Sequence, residues 1–230
     1  MIGTKAKVFS LLLKSMVIVS AAVGVILSAI AGAQAFMSGS RVFMYFTVQS
    51  NIAIALVCAA GAVPLLRNRP VQDIWYLIKY VFTVSITLTG VVFCFVLAPT
   101  LGKYAWSLQH VLTHVVVPLA AILDFFVTGR YGSVKKRSVV FVTIPPLLYA
   151  VYTGIAYAAG WEFSKGVNYP YFFLNWGSPA GAFGFTRELP YMGCAWWILL
   201  ILVLLLAVGY GYLLVLDVIK KSIEKRANTD

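Results

Sequence analysis

Six apolar runs, each about two dozen residues long, constrain this chain more than any other feature. They fall at Val8 to Ala33, Val42 to Leu66, Trp75 to Ala98, Tyr104 to Val127, Ser138 to Ala158 and Tyr191 to Leu216. A helix that crosses the hydrocarbon core of a bilayer needs about 20 apolar residues at 1.5 Å rise each, so every run is long enough to span. Of the 230 residues, 61% are apolar and 11% charged, against roughly a quarter charged in an ordinary soluble domain. Six spans with short joins use up the length and leave no room for a water-soluble catalytic domain. The expected fold is all-α: a polytopic membrane protein, one domain over residues 1–230, with six transmembrane helices in a single bundle. The third run contains Phe82-Thr83-Val84-Ser85-Ile86-Thr87-Leu88-Thr89, which alternates like a strand. A segment this long in lipid must satisfy its own backbone, and helix is expected there.

The formal charge of +11 would suggest nucleic acid in a soluble protein; here it reads as orientation. Lys5, Lys7, Lys14, Arg67, Arg69, Lys79, Arg130, Lys135, Lys136, Arg137, Lys220, Lys221, Lys225 and Arg226 fall on one side, and only Arg41, Lys103, Lys165 and Arg187 on the other. The positive-inside bias therefore predicts both termini in the cytoplasm. Lys5, Lys7 and the small residues from Ala31 to Ala35 also resemble a signal peptide with its cleavage site. The apolar stretch from Ser15 to Ala33 is longer than the usual ~7 to 15 residues of such a segment, and a retained anchor is expected. No nucleic-acid partner is expected, and the compact size allows a homo-oligomer.

The outer loop over residues 160–190 is long and aromatic, with Trp161, Tyr169, Tyr171, Phe172, Phe173, Trp176, Phe183 and Phe185. Such rings favour the headgroup level, and two readings stand side by side: an aromatic belt, or a lid over an opening between helices, bending at Gly177, Gly181 and Gly184. Cys58, Cys94 and Cys194 lie singly in three spans, without the close pairs of zinc or redox sites. No glycine-rich phosphate loop, G-x-S-x-G elbow or H-E-x-x-H motif is present. No cofactor and no metal are expected.

Chemistry is left to polar residues inside the spans, where their cost in lipid makes each a candidate for function. On the second span Thr47, Ser50 and Asn51 share a face at i, i+3 and i+4, with Gln49 pointing elsewhere; on the fourth, His110, Thr113 and His114 repeat the spacing. Thr47, His110 and His114 all lie roughly 7 to 15 Å below the outer edge of the apolar layer. At matched depth a hydroxyl and an imidazole suit a nucleophile and its general base. The plainer readings are a threonine bonded to its own i−4 carbonyl, Ser and Asn joining helices, or two histidines holding a metal or haem. Asp124 is about 21 Å from His110 and cannot orient either imidazole; pairing with Arg130 or Lys79 is expected instead. Glu162 and Glu188 reach the histidines only if the outer loop folds inward. Pro118, Pro145 and Pro146 are expected to kink the fourth and fifth spans.

Three stretches carry a resemblance: Tyr45-Phe46-Thr47-Val48-Gln49-Ser50-Asn51, Leu108-Gln109-His110 through His114 to Pro118, and Asn168-Tyr169-Pro170-Tyr171. In these the chain resembles the small bacterial Pr-six-Pr six-span membrane proteins, which are in turn similar to the eukaryotic androgen-induced FAR-17a type proteins. The eukaryotic members are intramembrane hydrolases that split fatty acid esters of hydroxy fatty acids, using a threonine on an early span and a histidine on a later one; for this chain the resemblance implies a bacterial cytoplasmic membrane and an intramembrane hydrolase of esters of that type or similar. Thr47 matches that threonine. The family's histidine lies five residues before the proline, whereas His114 lies four before Pro118, so His114 is chosen with His110 as the alternate. The expected function is a lipid-ester hydrolase with a membrane lipid as substrate. Ser50, Asn51, Tyr169, Tyr171 and Trp176 are expected to contact it, with Ser50 or Asn51 donating to the oxyanion. The rival classes are a small-molecule or proton-coupled transporter or channel, and a bundle without chemistry.

Overall fold

The computed structural model describes residues 3–34, 38–128 and 134–227. Among them are six helices long and apolar enough to cross a membrane: α1 Thr4–Gln34, α2 Phe46–Leu66, α3 Asp73–Leu101, α4 Leu108–Val127, α5 Lys136–Ala158 and α6 Cys194–Lys225. Each expected span is matched by a helix, with shifted ends. The second and fourth start later than expected, because Gly39–Met44 and Gly102–Trp106 form separate 3-10 turns that lead into α2 and α4. The last runs further, since the Lys- and Glu-rich tail after Leu216 continues as a polar helix. Ala35 of the suggested cleavage site and Arg130 lie outside the described residues.

The strand-like stretch of α3 is helical for a visible reason. The hydroxyls of Thr83, Ser85 and Thr87 donate to the carbonyls of Lys79, Val81 and Thr83 one turn back, at 2.7, 2.9 and 2.8 Å. Each polar side chain is thus satisfied within the helix, as hydrocarbon surroundings demand. Residues 83 to 90 are buried without interruption, which places α3 at the centre of the bundle. Tyr80, Val84 and Leu88 pack with Leu205 and Leu213 of α6, and Thr87 hydrogen-bonds the Tyr212 hydroxyl at 2.7 Å. On the other side Val17, Ile54, Ile86, Val117 and Ala121 knit α1, α2, α3 and α4 into an apolar cluster.

Prolines shape the helices differently from simple kinks. In α4 the π-helical turn Leu112–Val116 comes just before Pro118, and in α3 the π turn Phe93–Leu97 comes just before Pro99. Proline has no N–H for the carbonyl four residues back and its ring crowds that carbonyl; a wider turn relieves both. In α5 the chain runs as 3-10 helix over Lys136–Thr143 and becomes α-helical at Ile144, so Pro145 and Pro146 occupy a first turn that needs no such donors.

Candidate active site

The site is built outward from the first turn of α2. Tyr45 is extended, and the helix begins at Phe46, so Thr47 has no helical carbonyl four residues back to bond. The Tyr171 hydroxyl from the outer loop takes that place. It accepts the Thr47 N–H at 3.3 Å and shares a hydrogen bond with Thr47 Oγ1, also at 3.3 Å. Burial raises the Tyr171 phenol above its ordinary range, so it stays protonated. The Tyr171 ring is held by Phe173, stacked at 5.0 Å, and by Tyr45 edge-on at 5.8 Å.

One turn deeper, the predicted face of α2 ties three helices together. Asn51 is fully buried, and its amide donates to the Thr47 carbonyl at 2.8 Å and to the Thr113 carbonyl of α4 at 3.1 Å. Ser50 donates to the Thr47 carbonyl at 3.1 Å and meets Thr89 of α3 at 2.8 Å. Both groups are engaged in joining helices, which leaves the Tyr171 hydroxyl as the donor beside Thr47. Thr89 was not singled out from the sequence; its i+4 spacing from Ser85 on the buried face of α3 is the signal that points to it.

His114 sits where the two π turns meet. Its ring stacks on Phe93 of α3 at 3.8 Å and 20°. Its Nδ1 lies 3.0 Å from both the His110 carbonyl and the Thr113 hydroxyl. A proton on Nδ1 satisfies the carbonyl and leaves the lone pair on Nε2. Gly90 permits this close approach, since a Cβ there would lie 2.8 Å from the His114 carbonyl oxygen. Gly24 of α1 does the same for Thr113, whose Cγ2 would be 2.6 Å from a Cβ. His110 lies one turn outward, with its Nδ1 3.2 Å from the Ala105 carbonyl. No hydrogen bond joins Thr47 to either imidazole among the described residues; Asn51 connects the two elements through their backbone carbonyls.

Thr47 and Tyr171 edge a narrow cavity of about 60 Å³, walled by Leu88, Val92, Leu97, Phe173, Ile198 and Leu202 and nearly free of other polar groups. Phe46 and Tyr149, packed edge-to-face at 5.2 Å, separate it from a wider apolar groove of about 620 Å³ that runs past Ser50, Phe82 and Pro145.

The outer loop divides its aromatics between the two readings. Tyr171, Phe173 and Leu174 turn inward onto the cavity, whereas Phe183 and Phe185 are about 70% exposed, at 69% and 73%. Trp176 lies off the cavity, donating to Thr153 of α5 at 3.2 Å. Tyr169 is half-buried and does not line the cavity. Gly177 and Gly184 are tightly packed against Tyr157 and the Ala180 carbonyl, and Gly181 adopts a left-handed φ of 56°. Glu162 pairs with Arg41 at 3.2 Å and not with a histidine. The three cysteines are free and separate, and no group of three His, Cys, Asp or Glu gathers among the described residues. Compared with family models, with curated proteins and with solved structures, the chain finds no match in any of the three.

Proposed function

We propose that the protein is an intramembrane hydrolase of lipid esters, with Thr47 as nucleophile and His114 as general base. One observation carries this reading: the Thr47 hydroxyl stands at the edge of a largely apolar cavity, in hydrogen-bond range of a half-buried, protonated phenol. The resemblance to the Pr-six-Pr and androgen-induced FAR-17a type proteins supports the same threonine. An acyl chain suits the apolar walls, and its carbonyl would meet the hydroxyl pair.

In this mechanism Thr47 Oγ1 attacks the ester carbonyl carbon, and its proton passes to Nε2 of His114. The carbonyl oxygen gains the negative charge, which the Tyr171 O–H stabilises by donating to it. Collapse breaks the bond to the alcohol, which leaves with the proton from His114. Water then attacks the Thr47 acyl ester, giving up its proton to the same imidazole; collapse breaks the bond to Thr47 Oγ1, which takes that proton back as the fatty acid is released. Catalytic hydrogen bonds commonly shorten only when substrate is bound, and this mechanism requires a Thr47–His114 hydrogen bond to form at that step.

The test is fluorophosphonate labelling and ester turnover of the purified protein. Thr47→Ala and His114→Ala are expected to abolish both, and His110→Ala to spare them. Undiminished labelling in the first two variants overturns the assignment.

A further inference from the structure

The opposite end of the bundle carries a second polar site that the proposed hydrolysis does not use. Asp124 of α4 is fully buried and pairs with Lys14 of α1 at 2.5 Å and Lys79 of α3 at 2.7 Å, while Ser10 donates to it at 2.6 Å. Two ammonium groups against one carboxylate leave an excess positive charge inside the bundle, where an uncompensated charge is costly. The hydrogens of both lysines are committed. Lys14 donates to Ser10 and both Asp124 oxygens, and Lys79 to the Asp124 carboxylate, the Asp124 carbonyl and the Thr128 hydroxyl. The cluster is therefore a fixed positive wall.

That wall borders a cavity of about 990 Å³. It is open at the end of the bundle, so a polar group from outside can enter beside the buried charge. Arg69, from the α2–α3 connection, and Lys220, near the end of α6, stand exposed at its mouth. With Lys14 and Lys79 they make four bases in the lining against a single acid, Glu224, which Lys220 approaches at 3.8 Å. Val57, Leu65, Val127 and Ile223 supply apolar wall. The lining thus suits an occupant that is both anionic and lipophilic.

We propose that this cavity binds the phosphate of an anionic phospholipid, with Arg69 and Lys220 contacting the headgroup and the Lys14–Asp124–Lys79 cluster supplying the attractive field behind it. The test is thermal unfolding of the detergent-purified full chain titrated with phosphatidylglycerol or phosphatidylcholine. Phosphatidylglycerol is expected to raise the midpoint and phosphatidylcholine to leave it nearly unchanged. Arg69→Gln combined with Lys220→Gln should weaken the apparent affinity for phosphatidylglycerol about 30-fold, as loss of two basic contacts implies. Lys5→Gln combined with Lys221→Gln, which removes two bases outside the cavity lining, should leave it intact. Equal shifts from both lipids, or equal losses in both double variants, overturn the site. If inorganic phosphate alone gives the same Arg69-dependent shift, the lipid assignment is overturned in favour of a soluble phosphate.

Discussion

The two ends of the bundle solve the problem of buried polarity in opposite ways. Near Thr47 every polar group is formally neutral: hydroxyls, an amide and an imidazole are joined by hydrogen bonds, and the adjoining cavity is small and apolar. Near Asp124 the groups are ionic, the carboxylate is matched by two lysines, and the adjoining cavity is large and basic. About ten residues of α4 separate them, roughly 15 Å along the helix, and the packed Val17, Ile54, Ile86 and Val117 cluster fills that interval. Neutral groups tolerate loss of a partner better than ions do, so losing one is expected to cost less stability at the first end than at the second.

The sharpest way to break this contrast is at Asp124. Asp124→Asn leaves two buried lysines without their counter-charge, and a loss of about 3–5 kcal/mol of stability is expected, read from chemical unfolding in detergent. Thr47→Ala reverses the pattern. Turnover should fall by two or more orders of magnitude, while stability changes by only about 1 kcal/mol, the worth of one exchanged hydrogen bond. Tyr171→Phe sharpens the comparison further: losing an oxyanion donor should lower turnover about 100-fold with the labelling site intact, measured as a split between kcat and KM. Gly90→Ala pushes a methyl group onto the His114 carbonyl, and about 1–3 kcal/mol of destabilisation is expected by the same unfolding assay. The smallest effect belongs to the exposed Arg41–Glu162 pair, where Arg41→Gln should cost under about 1 kcal/mol.

Much of the architecture was legible beforehand. Apolar length alone located six helices, and it resolved the strand-like stretch of α3 correctly because hydrocarbon leaves a backbone no partner but itself. Depth pointed to Arg130 or Lys79 as a partner of Asp124, and Lys79 is one of its two lysine partners. Lys14 escaped notice as its second partner because nothing local to α1 marks a lysine that turns inward. Around the candidate site, the shared faces of Thr47, Ser50 and Asn51 and of Thr113 and His114 were readable from helical spacing. The partner of Thr47 was not, because Tyr171 lies 124 residues away and only the folded outer loop delivers it.

The sequence by itself determined how many helices are long and apolar enough to cross a membrane and which faces of α2 and α4 are polar, since both depend on the fixed rise and turn of a helix. The tertiary structure decided which polar faces meet, that the two π turns bring Phe93 against His114, and that two lysines from separate helices enclose one aspartate. Those outcomes depend on close approach at Gly24 and Gly90 and on the path of a loop, and no local periodicity encodes contacts between residues so far apart in the chain.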